Sequence, residues 1–510
     1  MANRPLQGPA LILLTLSLAL ATFMQVLDTS IANVAIPSLS GDLGVSPNQG
    51  TWVITSFAVS NAIALPLTGW LAKRFGEVKL FVAATQLFTL ASWLCGLSFN
   101  LPMLIAFRVL QGAVAGPLIP LSQSLLLANY PKEKQGMALA LWSMTVVVAP
   151  IFGPILGGWI SDNISWPWIF YINLPVGLLS GYLSWQLLKN RETATVRQPI
   201  DAVGLGLLIV GVGCLQVLLD KGNELDWFGS SLIATLAAIA TIALSIFIVW
   251  ELTAAHPVVD LSLFAKRNFT VGTIAISLGY MAFFANVVIL PLWLQTQMGY
   301  TATWAGLATA PIGLLPVIIS PLVGRNLQKI DLRLLVSFSF SVFAAVSFWN
   351  SEFTTQVGFW QLALPRVVQG LGVATFFIPL TTMLLSGLPA NRLASASGLA
   401  TFLRILAGSF GTSLGITLWD RREALHHAQL TEQITAFNPI AGRTLEQLHE
   451  LGFQGAAGFA QLVRMITDQA YMLATDDFFW LFGWLFLGLL FLVWFARPPF
   501  TTGAGGGGAH

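Results

Sequence analysis

Apolar runs of roughly 18 to 25 residues, the length of helix that crosses a hydrocarbon core about 30 Å thick, recur along the whole chain. Read between breakers, they fall near 11–36, 50–70, 78–99, 102–127, 137–160, 168–188, 202–220, 230–252, 269–295, 303–324, 333–350, 358–387, 394–419 and 478–496. The runs are continuous rather than alternating, so helices and not barrel strands are expected. Composition agrees: 55% hydrophobic and 9% charged residues over 510 positions leave too little polar surface to cover a water-soluble globule. The expectation is an all-α polytopic membrane protein of about fourteen transmembrane helices, with the lipid bilayer as its solvent.

Placement of charge says more than its sum. A net charge of +2 without a basic block excludes a nucleic-acid partner. With an inside N-terminus, the inside segments collect sixteen basic residues, among them Lys73, Arg74, Lys79, Lys266, Arg267, Arg325 and Arg392. The outside segments hold five, four of them in the long loop 421–477. Both termini are therefore expected inside, with an even helix count. The apolar run after Arg4 continues past Ala19-Leu20-Ala21 to Pro37, too long for a cleaved signal core, and reads as a retained helix. Cys95 and Cys214 both lie in apolar runs, which supports neither a disulfide framework nor a Cys-based metal site. The neighbouring His426 and His427 read as an exposed, solvated pair; no metal or cofactor is expected.

The strongest internal signal is a repeat. Arg108-Val109-Leu110-Gln111-Gly112 returns 258 residues later as Arg366-Val367-Val368-Gln369-Gly370, and each copy has a proline, Pro131 or Pro389, 23 residues after its arginine. Pro66-Leu67-Thr68-Gly69 is likewise matched by Pro321-Leu322-Val323-Gly324. Two same-orientation halves with a site between them are the architecture of secondary transporters and favour alternating access over a fixed pore. The expected organisation is a six-helix half at 1–200, two inserted helices at 201–260, a second six-helix half at 261–497 that includes the outer loop 421–477, and a flexible Gly-rich tail at 498–510. Within that loop, 443–451 and 456–471 read as amphipathic helices; the loop is a natural docking surface for an outside partner, with disorder or a simple cap as the competing readings.

Asp28 is the one carboxylate clearly away from a helix end. A charged side chain at such depth costs roughly 2.5–3.5 kcal/mol on insertion scales, so it must face a partner or a cavity. It reads as a proton carrier, with a structural tie to neighbouring helices as the competing reading. Arg108 cannot give up its proton; it reads as a group that tunes Asp28, or as a static tie, and Gln111 shares its face. Arg404 also lies within a predicted helix. Met24, Asn33, Trp52, Trp142, Phe283 and Phe284 are candidate liners of a substrate cavity, each equally readable as packing. Two prolines and three glycines in 149–158, including Gly153, Pro154, Gly157 and Gly158, suggest a deformable contact between the halves.

Together these motifs resemble the major facilitator superfamily, specifically its fourteen-helix drug:proton antiporters, over essentially the whole chain. Gly69-Trp70-Leu71-Ala72-Lys73-Arg74-Phe75-Gly76 resembles the family's gating loop between helices two and three, departing at Lys73 where an acidic residue is usual. Arg108–Gly112 resembles the helix-four arginine motif, Gly153-Pro154 with Gly157-Gly158 the helix-five antiporter motif, and Asp28 with Pro37 the helix-one motif. Trp166, Trp168, Phe170, Asn173 and Pro175 resemble the pattern that enters helix six. The resemblance implies a transporter and not an enzyme. It further implies an inner-membrane multidrug exporter of lipophilic drugs, uncouplers and antibiotics, driven by protons through Asp28 and Arg108, working with a periplasmic adaptor of the membrane-fusion type and an outer-membrane channel. A proton-coupled importer of a small polar solute is the alternative; a respiratory proton-pump subunit would need intramembrane lysines, and none lies mid-helix.

Overall fold

The computed structural model describes residues 6–500 except 132, 133, 197, 198, 200, 256, 328, 433 and 436, so the glycine-rich tail from 501 onward lies outside the described residues. The first half comprises α1 (Pro9–Val34), α2 (Ile36–Asp42), α3 (Pro47–Gly50), α4 (Trp52–Phe75), α5 (Glu77–Gly96), α6 (Leu101–Ala115), α7 (Leu118–Asn129), α8 (Gln135–Asn163), α9 (Trp168–Tyr171) and α10 (Asn173–Leu188). Two further helices follow, α11 (Ala202–Lys221) and α12 (Ser231–Thr253). The second half comprises α13 (Arg267–Thr296), α14 (Ala302–Thr309), α15 (Leu314–Asn326), α16 (Leu332–Asn350), α17 (Phe359–Ala374), α18 (Phe377–Leu385), α19 (Leu393–Glu432), α20 (Pro439–Glu450) and α21 (Ala456–Val493).

Among the described residues, twelve helical segments are long and apolar enough to cross a bilayer, or thirteen when the two limbs of α8 count as one span. The chain is thus a multi-pass membrane protein. The remaining expected segment, 168–188, is divided at Ile172. Its main part, α10, has 16 residues, about 24 Å of helix, and only with α9 does it approach a span.

Local chemistry explains the starts and breaks. Asn100 accepts from the Met103 amide at 2.9 Å, and Asp201 from Val203 and Gly204 at 3.1 and 3.0 Å, so side-chain oxygens satisfy first-turn donors of α6 and α11. The α6/α7 break at Gly116-Pro117 and the α17/α18 break at Thr375-Phe376 fall at matching places in the two repeats. In α8 the limbs Gln135–Pro150 and Ile155–Ser161 meet at 42°; Pro150 and Pro154 each lack an N–H and so release a carbonyl of the preceding turn.

Small residues set where the halves touch, because lipid supplies no hydrophobic drive between helices and close backbone approach has to. A Cβ on Gly69 of α4 would sit 2.8 Å from the Ser395 Cα of α19. A Cβ on Gly398 would sit 3.1 Å from the Leu65 carbonyl, and one on Gly324 of α15 would lie 2.7 Å from the Ala140 Cβ of α8. Ser397 donates to Gln123 across the same seam. All these contacts lie toward the end of the bundle that carries Lys73, Arg74, Arg325 and Arg392. Nearer the opposite end, α11 bridges the halves: Lys221 donates to Thr51 at 2.7 Å, and Ser413 donates to the Leu219 carbonyl at 2.5 Å.

The segment 421–477 is not a separate loop. α19 runs for 40 residues and α21 for 38, about 60 and 57 Å of helix against a core of about 30 Å, so 421–432 and 456–477 are continuations of spans. They are tied by Trp419, whose Nε1 donates to Thr475 at 2.9 Å, and by His426, which meets Asp477 at 2.8 Å. The expectation of an exposed His426 is corrected accordingly: its side chain is 17% accessible and partnered.

Candidate functional site: a buried carboxylate and arginine

Asp28 of α1 and Arg108 of α6 meet at 2.6 Å, with side chains 1% and 0% accessible. Arg108 Nη1 donates to Asp28 Oδ2 and also, at 2.6 Å, to Gln111 Oε1, while its Nε donates to the Val53 carbonyl at 3.0 Å. The other carboxylate oxygen, Oδ1, accepts from Gln111 Nε2 at 3.0 Å and from Asn173 Nδ2 at 2.8 Å. Ser92 of α5 closes the cluster by accepting from Gln111 at 2.6 Å and Asn173 at 3.1 Å. The Phe57 and Phe170 rings flank the guanidinium at 4.3 and 5.5 Å. Five helices, α1, α4, α5, α6 and α10, thus meet in one cluster, two of which, α6 and α10, donate to the carboxylate itself.

A carboxylate held this way can take up a proton only by giving up acceptor capacity to its donors and leaving Arg108 without a counter-charge. Protonation and rearrangement are therefore linked. The second half offers no such acid: the position 258 residues beyond Asp28 is Asn286, whose amide donates to Ala282 O at 2.7 Å in its own helix. Arg366 gives Nη1 to Gln369 at 2.7 Å, and its Nε and Nη2 are buried without acceptors.

Gly153 and Gly157 sit against α1, next to this cluster, rather than between the halves. A Cβ on Gly157 would lie 3.1 Å from the Ile31 carbonyl, one on Gly153 would strike Ser30, and Ser30 donates to Pro150 O at 3.1 Å. The α8 bend thus packs on the α1 segment that carries Asp28; Gly158 is half-buried in the same limb, and Pro154 lies in the bend. The small-residue contact between the halves on this helix is instead at Gly136, toward its start.

The expected cavity liners scatter. Met24 and Trp142 are each 1% exposed within the first half; the Trp142 Nε1 donates to Ser122 at 2.8 Å, and Met24 sits against Gly177. Both are core residues here, since neighbouring side chains occupy the space a substrate would need. Asn33 is exposed, and Trp52 lies 5.5 Å from Lys221 Nζ. Phe283 and Phe284 gather with Tyr280, and Arg404 lies over the Tyr280 ring at 5.4 Å.

In the 69–76 loop, Gly69 faces Ser395, the Lys73 carbonyl accepts from Val196 at 2.8 Å, and Arg74 lies over Trp70 at 5.4 Å. Gly76 has φ +88°, and the carboxylate of Glu192 beside it accepts from the Val78 and Lys79 amides at 3.0 and 2.9 Å.

Comparison with known proteins agrees with this architecture. The Major Facilitator Superfamily pattern matches residues 18–412. The chain belongs to the major facilitator superfamily. As a member of that superfamily it is a transporter and not an enzyme. Its sequence is 58% identical over 499 residues to the multidrug export protein EmrB of Haemophilus influenzae, covering 98% of each chain. It is 54% identical over 502 residues to the fatty acid resistance protein FarB of Neisseria gonorrhoeae, covering 98% of this chain and 99% of that one. Among solved structures, the superfamily's proton:xylose symporter XylE shares the fold with a TM-score of 0.57 at 15% identity, over 95% of both chains.

Ser92, Val53 and Phe57 carried no signal in the sequence that tied them to Asp28. Asn173 and Phe170 did stand in the pattern entering helix six, without an assigned role; an asparagine opening an apolar helix was the available clue.

Proposed function

We propose that the chain is a proton-driven antiporter that exports lipophilic drugs, uncouplers and antibiotics by alternating access. The observation that carries this reading is the sealed Asp28–Arg108 contact at 2.6 Å, an acid whose charge state and hydrogen bonds cannot change separately. Two relatives that match along nearly their whole length are named for multidrug export and fatty acid resistance, which supports an exported, lipophilic cargo. A proton reaching Asp28 from outside frees Arg108, Gln111 and Asn173 from the carboxylate, and the α8 bend that rests on Ser30 and Ile31 moves with α1. Each charge moved across the membrane contributes about 2.3 kcal/mol per 100 mV.

The proposed setting is the bacterial inner membrane, with both termini cytoplasmic and the projecting ends of α19 and α21 in the periplasm. There they would meet an adaptor of the membrane-fusion type that leads to an outer-membrane channel.

The test is gradient-driven export of a panel of uncouplers and dyes from proteoliposomes, comparing the native chain with Asp28→Asn. Export by the native chain that disappears in a well-folded variant is the expected result. Full gradient-dependent export by Asp28→Asn would remove Asp28 from the coupling step.

A further inference from the structure

Arg404 lies eleven residues into α19, about 17 Å along the axis from Leu393 and so near mid-bilayer. It is 4% exposed, and among the described residues it makes no ion pair and no hydrogen bond; its Nε is buried without an acceptor. Its recorded partners are two rings, Tyr280 at 5.4 Å and Phe377 at 5.8 Å. Tyr280 is stacked in turn on Phe284, 5.2 Å away with planes 21° apart. Gly408, one turn beyond Arg404, leaves room for this arrangement, since a Cβ there would come within 2.8 Å of Tyr280 Cε1.

Of the other two intramembrane arginines, Arg108 has a carboxylate partner, and Arg366, which also lacks a counter-charge, at least gives Nη1 to Gln369; Arg404 makes neither kind of contact among the described residues. The residue 258 positions before Arg404 is Val146, packed against the apolar core of the first half, so the repeated helix does not itself require a cation at this place. A permanent charge kept in the membrane interior without a counter-charge is costly and marks a ligand path. Tyr280 and Phe284 are only half-buried, so part of this ring stack is not covered by neighbouring side chains.

We propose that Arg404, framed by Tyr280 and Phe377, recognises the anionic group of a lipophilic organic anion, such as a carboxylate or phenolate. The guanidinium donates to the anionic oxygens while the aromatic faces hold it in place and accept the apolar body of the ligand. This inference rests on the export reading above and specifies its substrate class.

The full chain in lipid nanodiscs, with empty nanodiscs as background, is titrated with radiolabelled dodecanoate, ionised at the working pH, and with its neutral methyl ester. Arg404→Gln is expected to weaken dodecanoate binding by about tenfold or more and to leave the ester within about twofold, the pattern of a lost charge-assisted contact. Arg404→Lys recovers part of the loss. Equal weakening of acid and ester, or undiminished dodecanoate binding, overturns the assignment.

A second measurement needs no variant. On the native chain, tetraphenylborate is expected to displace dodecanoate, whereas tetraphenylphosphonium, of matching size and opposite charge, does not; equal displacement by both overturns the site. Export of neutral Nile red from proteoliposomes separates the two readings. Arg404→Gln that still exports Nile red while losing dodecanoate supports the anion site. Charge-selective dodecanoate binding by a native chain that exports nothing supports the site and removes the export reading beneath it.

Discussion

Asp28 and Asn173 lie 145 residues apart in sequence and 2.8 Å apart in the fold, the amide donating to the same carboxylate oxygen that takes Gln111. With Arg108 on the other oxygen, the carboxylate has a donor on every side that matters for its charge.

Breaking this cluster from one side is predicted to cost more than dissolving it. Arg108→Gln leaves Asp28 buried without its counter-charge and is expected to lose about 3–5 kcal/mol. The double variant Asp28→Asn/Arg108→Gln, with no charge to leave unpaired, should recover much of that loss. Thermal unfolding of the four proteins in one detergent measures it; additive effects would mean that the two side chains are not energetically coupled.

Trp142 is predicted to be structural. Its indole N–H donates to Ser122 at 2.8 Å and to Thr22 at 3.3 Å inside a sealed part of the first half. Trp142→Phe keeps most of the packing and loses those bonds, at a cost of about 1 kcal/mol. Affinity for every exported compound should be unchanged. A selective change in affinity for one compound would return Trp142 to the substrate path.

Closure at the basic end depends on Gly69. A larger residue there must push α4 from α19, since even a Cβ reaches within 2.8 Å of the Ser395 backbone. In a background lacking Cys95 and Cys214, Ser395→Cys should react slowly with a membrane-impermeant thiol reagent, and adding Gly69→Leu should speed that reaction. Identical rates in the two proteins would show that the seam does not control access.

Gly76 ends α4 at φ +88° and ψ +148°, a region that side chains with a Cβ strongly avoid. Gly76→Ala is expected to lose about 1–3 kcal/mol, and the added methyl would also displace Glu192 from the Val78 and Lys79 amides. Faster hydrogen exchange confined to the first turn of α5 would locate the effect; unchanged exchange and melting would contradict it.

How much of this was legible beforehand varies by the range of the forces involved. The spans near 269–295 and 333–350 agree with α13 and α16 to within two residues, because apolar length, and for α16 the Asp331 cap, act within one segment. The outer end of α19 does not show in the apolar pattern, since a helix that leaves the membrane turns polar and loses the apolar signal while keeping its backbone hydrogen bonds; the amphipathic stretch at 456–471 does show, but not its continuity with the span at 478–496. Asp28, Arg108 and Gln111 were legible as a site because charge in an apolar run is costly wherever it occurs. Ser92 was not, since a serine in a membrane helix usually satisfies itself on its own backbone.

A bilayer-embedded chain with a repeated arginine motif, one deep acid and a few deep arginines is legible in the order of residues, for bilayer thickness and the cost of buried charge act on each segment separately. The partners of those residues come from the packed fold. It placed Asn173 and Ser92 around Asp28, turned Gly153 and Gly157 of α8 toward α1 while Gly136 meets the other half, sealed Trp142 in the core, and left Arg404 against two rings without an acid. Such choices depend on which helix faces meet, and that is settled by the fit of side chains from distant segments, which no single segment encodes.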